Sequence, residues 1–242
     1  MGGRGWRGRA GEPHAEVFAL REAGERALGA TAYVTLEPCA HTGRTPPCAD
    51  ALIAARVARV VIAVADSNPL VAGQGAQRLR AAGIVVDVGL LEAQARVLNA
   101  GFLRRIAGGL PWLRMKTASS LDGRTAMASG ESQWITGEAA RADVQCWRAR
   151  SSAIITGIAS VLIDDSRLSV RLAGAERQPL RVVLDSQLRL SPQAKLLQEP
   201  STTLVLTRAD SLSTAGQRLQ LLQRAGAEVK AVATGANGRL CP

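Results

Sequence analysis

Gly11-Glu12-Pro13-His14-Ala15-Glu16 and Pro38-Cys39-Ala40-His41-Thr42-Gly43-Arg44-Thr45-Pro46-Pro47-Cys48 are the two stretches on which the reading of this chain turns. They bring together one imidazole, two thiols and a spare carboxylate. Zinc accepts neutral histidine nitrogen and cysteine thiolate, and a catalytic zinc keeps three protein ligands with its fourth position open to water. His14, Cys39 and Cys48 would supply the three ligands, leaving Glu16 free to move protons. The cation lowers the pKa of its water to roughly 7, so a nucleophile becomes available at neutral pH.

The spacing is consistent with that division of roles. His14 and Glu16 stand two residues apart, about 200° around a regular helix, so their side chains diverge as a ligand and a non-ligand should. Pro13 suits the first helical position, and a helix start puts partial positive charge beside these groups. A short β-branched strand, residues 31–36, delivers Glu37-Pro38-Cys39 at its carboxyl end, where open α/β sheets place their sites. Cys48 opens the next helix, residues 48–56, and a thiolate is favoured there. Zinc-dependent base deaminases share this arrangement, although their usual signature is Cys-x-x-Cys, whereas Cys39 and Cys48 are nine positions apart. Two plainer readings compete. The cysteines can be small buried hydrophobes with His14 a lone polar residue. Alternatively, a closed structural zinc site could recruit His41, the only other histidine, as a fourth ligand.

A chain of 242 residues accommodates one large or two modest domains. With 47% hydrophobic but only 3% aromatic residues, its core must be built from Ala, Val, Leu and Ile. The net charge of +10, almost all arginine, admits a nucleic-acid partner. Single-strand binders need aromatic stacking platforms, however, and four Trp, two Phe and one Tyr make one hard to build. A small anionic substrate is the preferred explanation, with no nucleic acid and no membrane partner. Cysteines at 39, 48, 146 and 241 with no secretory segment ahead of them read as cytoplasmic metal chemistry rather than a disulfide framework. Cys146 is expected in the core and Cys241 carries no reading. No apolar run reaches about 18 residues, which excludes a spanning helix. Met1-Gly2 is not a myristoylation start, because Trp6 stands where Ser or Thr is needed. Residues 2–9, without periodicity, are expected to be a flexible entry.

Along the chain, residues 13–28 read as a helix with Val17, Leu20 and Leu28 toward the core and Gly29 as its stop. Residues 59–65 form a continuous apolar strand of the buried, parallel kind. Asp66-Ser67-Asn68-Pro69 is a turn, and Gly73-x-Gly75 is another rather than a dinucleotide loop. A helix follows to Gly83, then a strand over 84–88 and a helix over 91–106. Gly108-Gly109-Leu110-Pro111 marks the boundary, giving domains 1–109 and 110–242. The second half reads as strand 112–118, polar loop 119–125, helix 137–150, strands 153–156, 180–185 and 203–207, helix 213–225 and strand 228–232. Alternating strands and helices predict an α/β layer fold in each half. No internal repeat is present.

The long form Pro-Cys-x-His-x-Gly-Arg-Thr-Pro-Pro-Cys after a His-Ala-Glu resembles the deaminase half of the bifunctional riboflavin-biosynthesis deaminase/reductase. The second half resembles the reductase half at 115–124 (Met-Lys-Thr-Ala-Ser-Ser-Leu-Asp-Gly-Arg), 129–136 (Ser-Gly-Glu-Ser-Gln-Trp-Ile-Thr), 163–171 and 183–186. The resemblance covers almost the whole chain, with the halves in the family's order. It implies a cytidine-deaminase-like three-layer domain followed by a dihydrofolate-reductase-like α/β domain. It also implies two cofactors, Zn2+ and NADPH, a phosphorylated pyrimidine substrate and a homo-oligomer. The implied reactions are hydrolytic deamination of a phosphoribosylamino diaminopyrimidinone, then reduction of the ribosyl group to ribityl. Glu16 would be the catalytic acid–base and His14, Cys39 and Cys48 the metal ligands. Ala118, Trp134, Ser160, Asp164 and Ser186 would line the NADPH site. Arg44, Ser132, Arg148, Leu168 and Arg171 would contact substrate; two guanidiniums can grip a phosphate bidentately. His41 would belong to the substrate pocket.

Two features of the family are not found. Its deaminase half opens with a helix and two strands carrying an Asn-Pro motif ahead of the His-Ala-Glu, and its reductase half continues into a Val-Glu-Gly-Gly loop that grips the NADPH phosphates. The expectation is a truncated or frame-shifted product with both domains and both pockets incomplete. A first sheet without its opening strands would expose an edge. Two rivals remain: a nucleic-acid or nucleoside base deaminase, which wants aromatics around the zinc loop where only Phe18 and Tyr33 lie, and a non-catalytic zinc-stabilised binding domain.

Overall fold

Short Val- and Ile-rich runs alternate with Ala-, Leu- and Arg-rich segments, and the chain folds accordingly into parallel strands joined by helices. The computed structural model describes residues 1–6, 8, 11–68, 71–175, 177–235, 239 and 240. Pro69 of the expected turn, Arg7 and Arg9 of the expected entry, and Cys241 lie outside the described residues. Contacts group the chain into two units, 1–116 and 117–242.

The first unit contains α1 (Ala15–Ala23), β1 (Thr31–Val34), α2 (Cys48–Ala54), β2 (Arg59–Ile62), α3 (Gln74–Ala81), β3 (Val85–Val88), α4 (Glu92–Leu98) and α5 (Ala100–Gly108). Its sheet has the order β1-β2-β3, all parallel, with Thr31 opposite Arg59 and Arg59 opposite Val85. The central strand β2 buries Val60, Val61 and Ile62, the continuous apolar run of a strand covered on both faces. Val60 and Ile62 pack with Ala49 and Leu52 of α2 and Ala76 and Leu79 of α3. Val64, Ala95 of α4 and Leu103 of α5 make a separate cluster.

The second unit contains α6 (Glu138–Arg150), β4 (Ala153–Gly157), α7 (Ile158–Asp164), β5 (Leu180–Leu184), α8 (Lys195–Gln198), β6 (Thr203–Arg208), α9 (Ala209–Thr214), α10 (Gly216–Arg224) and β7 (Ala227–Val232). Its strands are parallel in the order β4-β5-β6-β7. Val183, Val205, Leu222, Leu190 and Leu196 form its fully buried centre. No helix among the described residues is long and apolar enough to cross a membrane.

Several expected elements are corrected. The first helix begins after His14, its N-cap, so Pro13 precedes the helix rather than opening it. That helix stops at Gly24, whose φ of 56° breaks it, and a 3-10 turn leaves Leu28 58% exposed rather than in the core. The helix expected over 91–106 is two, because Asn99 Nδ2 donates to the Ala95 carbonyl at 2.9 Å and its backbone leaves helical geometry. Gly216, at φ 44°, likewise divides the helix expected over 213–225. Helices α7 and α8 were not foreseen. Residues 112–118 form no strand: no neighbouring chain pairs with them, and Leu113 and Met115 are 77% and 88% exposed. Cys146 is exposed on α6, which buries none of its residues. Of the expected flexible entry, residues 2–5 pack against α1. Gly3 and Gly5 approach its backbone so closely that added Cβ atoms would lie 2.2 and 1.9 Å from the Ala19 and Ala15 carbonyl oxygens. Arg4 N–H donates to Glu22 Oε2 at 2.9 Å.

Candidate functional site

His14, Cys39 and Cys48 come from three elements: the N-cap of α1, the loop after β1 and the first residue of α2. One ligand atom from each lies within 4.8 Å of the other two. His14 Nδ1 is 3.2 Å from Cys48 Sγ and 3.6 Å from Cys39 Sγ. A tetrahedral zinc with Zn–N of about 2.05 Å and Zn–S of about 2.3 Å separates nitrogen from sulfur by about 3.5 Å, so the donor set fits that ion. His41 is not in the cluster; it is exposed, which removes it as the fourth ligand of a closed structural site. The fully buried Cys48 donates its backbone N–H to Cys39 Sγ at 3.3 Å.

Electrostatics make the thiol pair asymmetric. A hydrogen bond from Cys48, with help from the backbone and His14, outweighs burial and lowers Cys39 to about 5. Sharing that proton, burial and the nearby Glu16 carboxyl hold Cys48 far above an ordinary thiol. Of the two, Cys39 is the thiol whose surroundings favour the thiolate. Burial raises Glu16 above a normal carboxyl, and its side chain faces the Cys48 thiol. His14, Glu16, Cys39, His41 and Arg44 all line one cavity of about 1530 Å³ in the first unit. Arg44 is exposed at its rim.

Two further side chains organise this region, Glu37 and Arg78. Glu37 is buried and accepts backbone N–H groups from Asp66, Gly73 and Ala76, and Arg78 bridges Ala40 O and Asp50. Sequence reasoning placed Glu37 only as the residue before Pro38. Its one signal is an acidic residue between β1 and a proposed metal ligand, since its partners lie 29 to 39 positions away.

In the second unit, Arg148, Leu168 and Arg171 lie where α6 meets residues 168–171. Arg148 Nη1 donates to Ser169 O at 3.1 Å, and Gln145 Oε1 accepts the Arg171 N–H at 3.0 Å. Burial and the nearby Arg171 charge lower Arg148, as expected of two like charges kept close. Ser160 lies on α7 directly after β4, and Ser186 follows β5, at the carboxyl ends of adjacent parallel strands. Asp164 closes α7 and is exposed, Ala118 and Ser132 are half-buried, and Trp134 is 68% exposed with the Arg141 guanidinium 4.5 Å above its ring.

Comparison with known proteins accounts for both units. A family model described as the cytidine and deoxycytidylate deaminase zinc-binding region matches residues 3–64, and one described as the RibD C-terminal domain matches residues 111–234. The riboflavin biosynthesis protein RibD of Escherichia coli K12 is 56% identical over 222 residues, covering 86% of this chain and 60% of that protein. Among solved structures, Acinetobacter baumannii RibD in its form 1 superposes with a TM-score of 0.84 at 54% identity, over 96% of this chain and 64% of that one. A Thermotoga maritima protein, described as a diaminohydroxyphosphoribosylaminopyrimidine deaminase and 5-amino-6-(5-phosphoribosylamino)uracil reductase, has a TM-score of 0.79 at 32% identity over 96% and 71%. The chain thus spans about 60% of the length of the Escherichia coli relative. The fold is that of a zinc-binding deaminase region followed by a dihydrofolate-reductase-like α/β domain with parallel sheets, and the chain belongs to the RibD family.

Proposed function

We propose that this chain acts in riboflavin biosynthesis, deaminating a phosphoribosylamino diaminopyrimidinone in residues 1–109 and reducing its ribosyl group in residues 110–242. The observation that carries the reading is the convergence of His14 Nδ1, Cys39 Sγ and Cys48 Sγ, with the raised Glu16 carboxyl beside them. Those three atoms would hold zinc, which when bound supplies a Lewis acid that readies a water for attack on the amino-bearing ring carbon. Glu16 then does the proton work. Burial has brought its carboxyl upward from the ordinary range, so one of its oxygens can take a proton from water and return it to the departing ammonia. Arg44, at the rim of the same cavity, would meet the substrate phosphate or ring.

In the second unit NADPH would supply the hydride. Ser160 and Ser186, at the strand ends where α/β sheets take ligands, would hold the cofactor together with Ala118, Trp134 and Asp164. Arg148, which feels the Arg171 charge, would share one phosphate with Arg171, with Ser132 and Leu168 completing the substrate contact. A cytoplasmic location, a small-molecule substrate and a homo-oligomeric assembly complete the proposal.

Glu16→Gln tests the deaminase reading. Ammonia release from the pyrimidine should fall by at least about a hundredfold, the scale of lost general acid–base catalysis, while zinc content is unchanged. Full turnover with zinc still bound would remove Glu16 from the chemistry.

A further inference from the structure

Glu37 is two residues from Cys39, only 6% exposed, and its carboxylate accepts main-chain N–H groups from the loop after β2 and from the start of α3. Its Oε2 accepts the N–H groups of Asp66 and Gly73, and its Oε1 accepts that of Ala76, each at 3.0 Å. Its own N–H donates to Val64 O at 2.9 Å. The first turns of α3 also meet the residues that follow. Gly75 lies so near Pro38 that an added Cβ would be 1.9 Å from its carbonyl oxygen. Arg78 Nη1 donates to Ala40 O at 3.2 Å while Nε pairs with Asp50 at 2.6 Å. Residues 37, 38 and 40, on both sides of Cys39, are thus gripped from one helix.

The residues gripped in return are Asp66, Gly73 and Ala76, and Asp66, with Asn68 and Val71, lines the cavity shared by His14, Glu16 and Cys39. A buried carboxylate is tolerated only when its lone pairs are satisfied, and here the two oxygens are committed to different residues of those three. We propose that Glu37 is a positioning residue: one anion ties the Cys39 loop to the opposite pocket wall and thereby sets both the sulfur's direction and the cavity's shape. The inference rests on the zinc reading above.

Both oxygens accept N–H donors, so an amide of the same shape cannot replace the carboxylate. In Glu37→Gln the NH2 group must face either Ala76 N–H or the Asp66 and Gly73 pair. Glu37→Asp keeps the charge but lacks one methylene of reach. The test uses the full chain loaded with zinc or cobalt(II), reading zinc affinity against a chromophoric chelator and the thiolate-to-cobalt charge-transfer band. Wild type should bind one ion per chain. Glu37→Gln should bind zinc roughly ten- to a hundredfold more weakly, the range for groups that orient metal ligands, with a shifted cobalt band and unchanged helix content. If Glu37→Gln does not fold, Glu37→Asp decides: a folded variant with a shifted band supports the role, and one with the wild-type band and affinity overturns it. Wild type that takes up no metal overturns the zinc reading instead, and leaves the two failures distinguishable.

Discussion

The two units solve the placement of functional side chains differently. In the first, three ligand atoms from three elements meet within 4.8 Å, and the loop bearing Cys39 is pinned from α3. In the second, the residues assigned to cofactor and substrate are spread over a face, with Trp134 68% exposed and Ser160, Asp164 and Arg171 also at the surface. A metal centre is defined by a few atoms that must converge on one point, so its geometry is visible in the side chains alone. A cofactor cleft is defined by walls, and its residues need only share an edge of a sheet. The first kind of site can therefore be broken by one atom, the second only by degrees.

Cys48→Ala is the sharpest break. Cys48 has no exposed surface and offers one of three ligands, so zinc content should fall from one ion per chain to under about a tenth, because two ligands do not make a zinc site. Elemental analysis of the purified variant measures this, and retained stoichiometric zinc would mean that the ion sits elsewhere. The next effect concerns stability. Zinc at about a hundred times its dissociation constant should stabilise the unit that binds it by about 2.7 kcal/mol. Hydrogen exchange should then slow roughly a hundredfold for the amides of β1–β3 on zinc addition and stay unchanged for β4–β7. Equal slowing in both sheets would show that the units do not respond separately to metal.

The parts of the molecule legible from sequence are those set by local pattern. The buried run Val60-Val61-Ile62 announced the central strand of the first sheet, and the Val-rich run ending at Leu184 announced β5. The ligand triad was legible because two motifs name it: His14 and Cys48 stand at helix starts, and Cys39 lies in the loop between β1 and α2. Residues 112–118 were misread for the opposite reason. A fresh start after the Gly108-Gly109-Leu110-Pro111 boundary makes no strand unless a neighbour is there to pair with it. Leu28 and Cys146 satisfied a periodicity on helices that end early or lie exposed, so pattern alone could not assign their burial. Glu37 was beyond reach because its meaning lies in three amides contributed by a distant segment.

The smallest predicted effect sharpens the second site. Trp134 is 68% exposed with the Arg141 guanidinium 4.5 Å above its ring, a contact worth about 0.5–1 kcal/mol where solvent is close. Trp134→Ala should therefore lower the unfolding free energy by no more than about 1 kcal/mol. If the ring is also a wall of the NADPH cleft, the same variant should bind NADPH roughly five- to tenfold more weakly, since about 1 kcal/mol of aromatic stacking is lost. Arg141→Met separates the two contributions, because it removes the cation and leaves the ring. Weakened NADPH binding in Trp134→Ala but not in Arg141→Met, read by quenching of cofactor fluorescence, would place the cofactor against the indole. Equal binding in both variants would move the cofactor face away from Trp134 and toward the strand ends carrying Ser160 and Ser186, where an open sheet offers its amides whether or not an aromatic ring stands by.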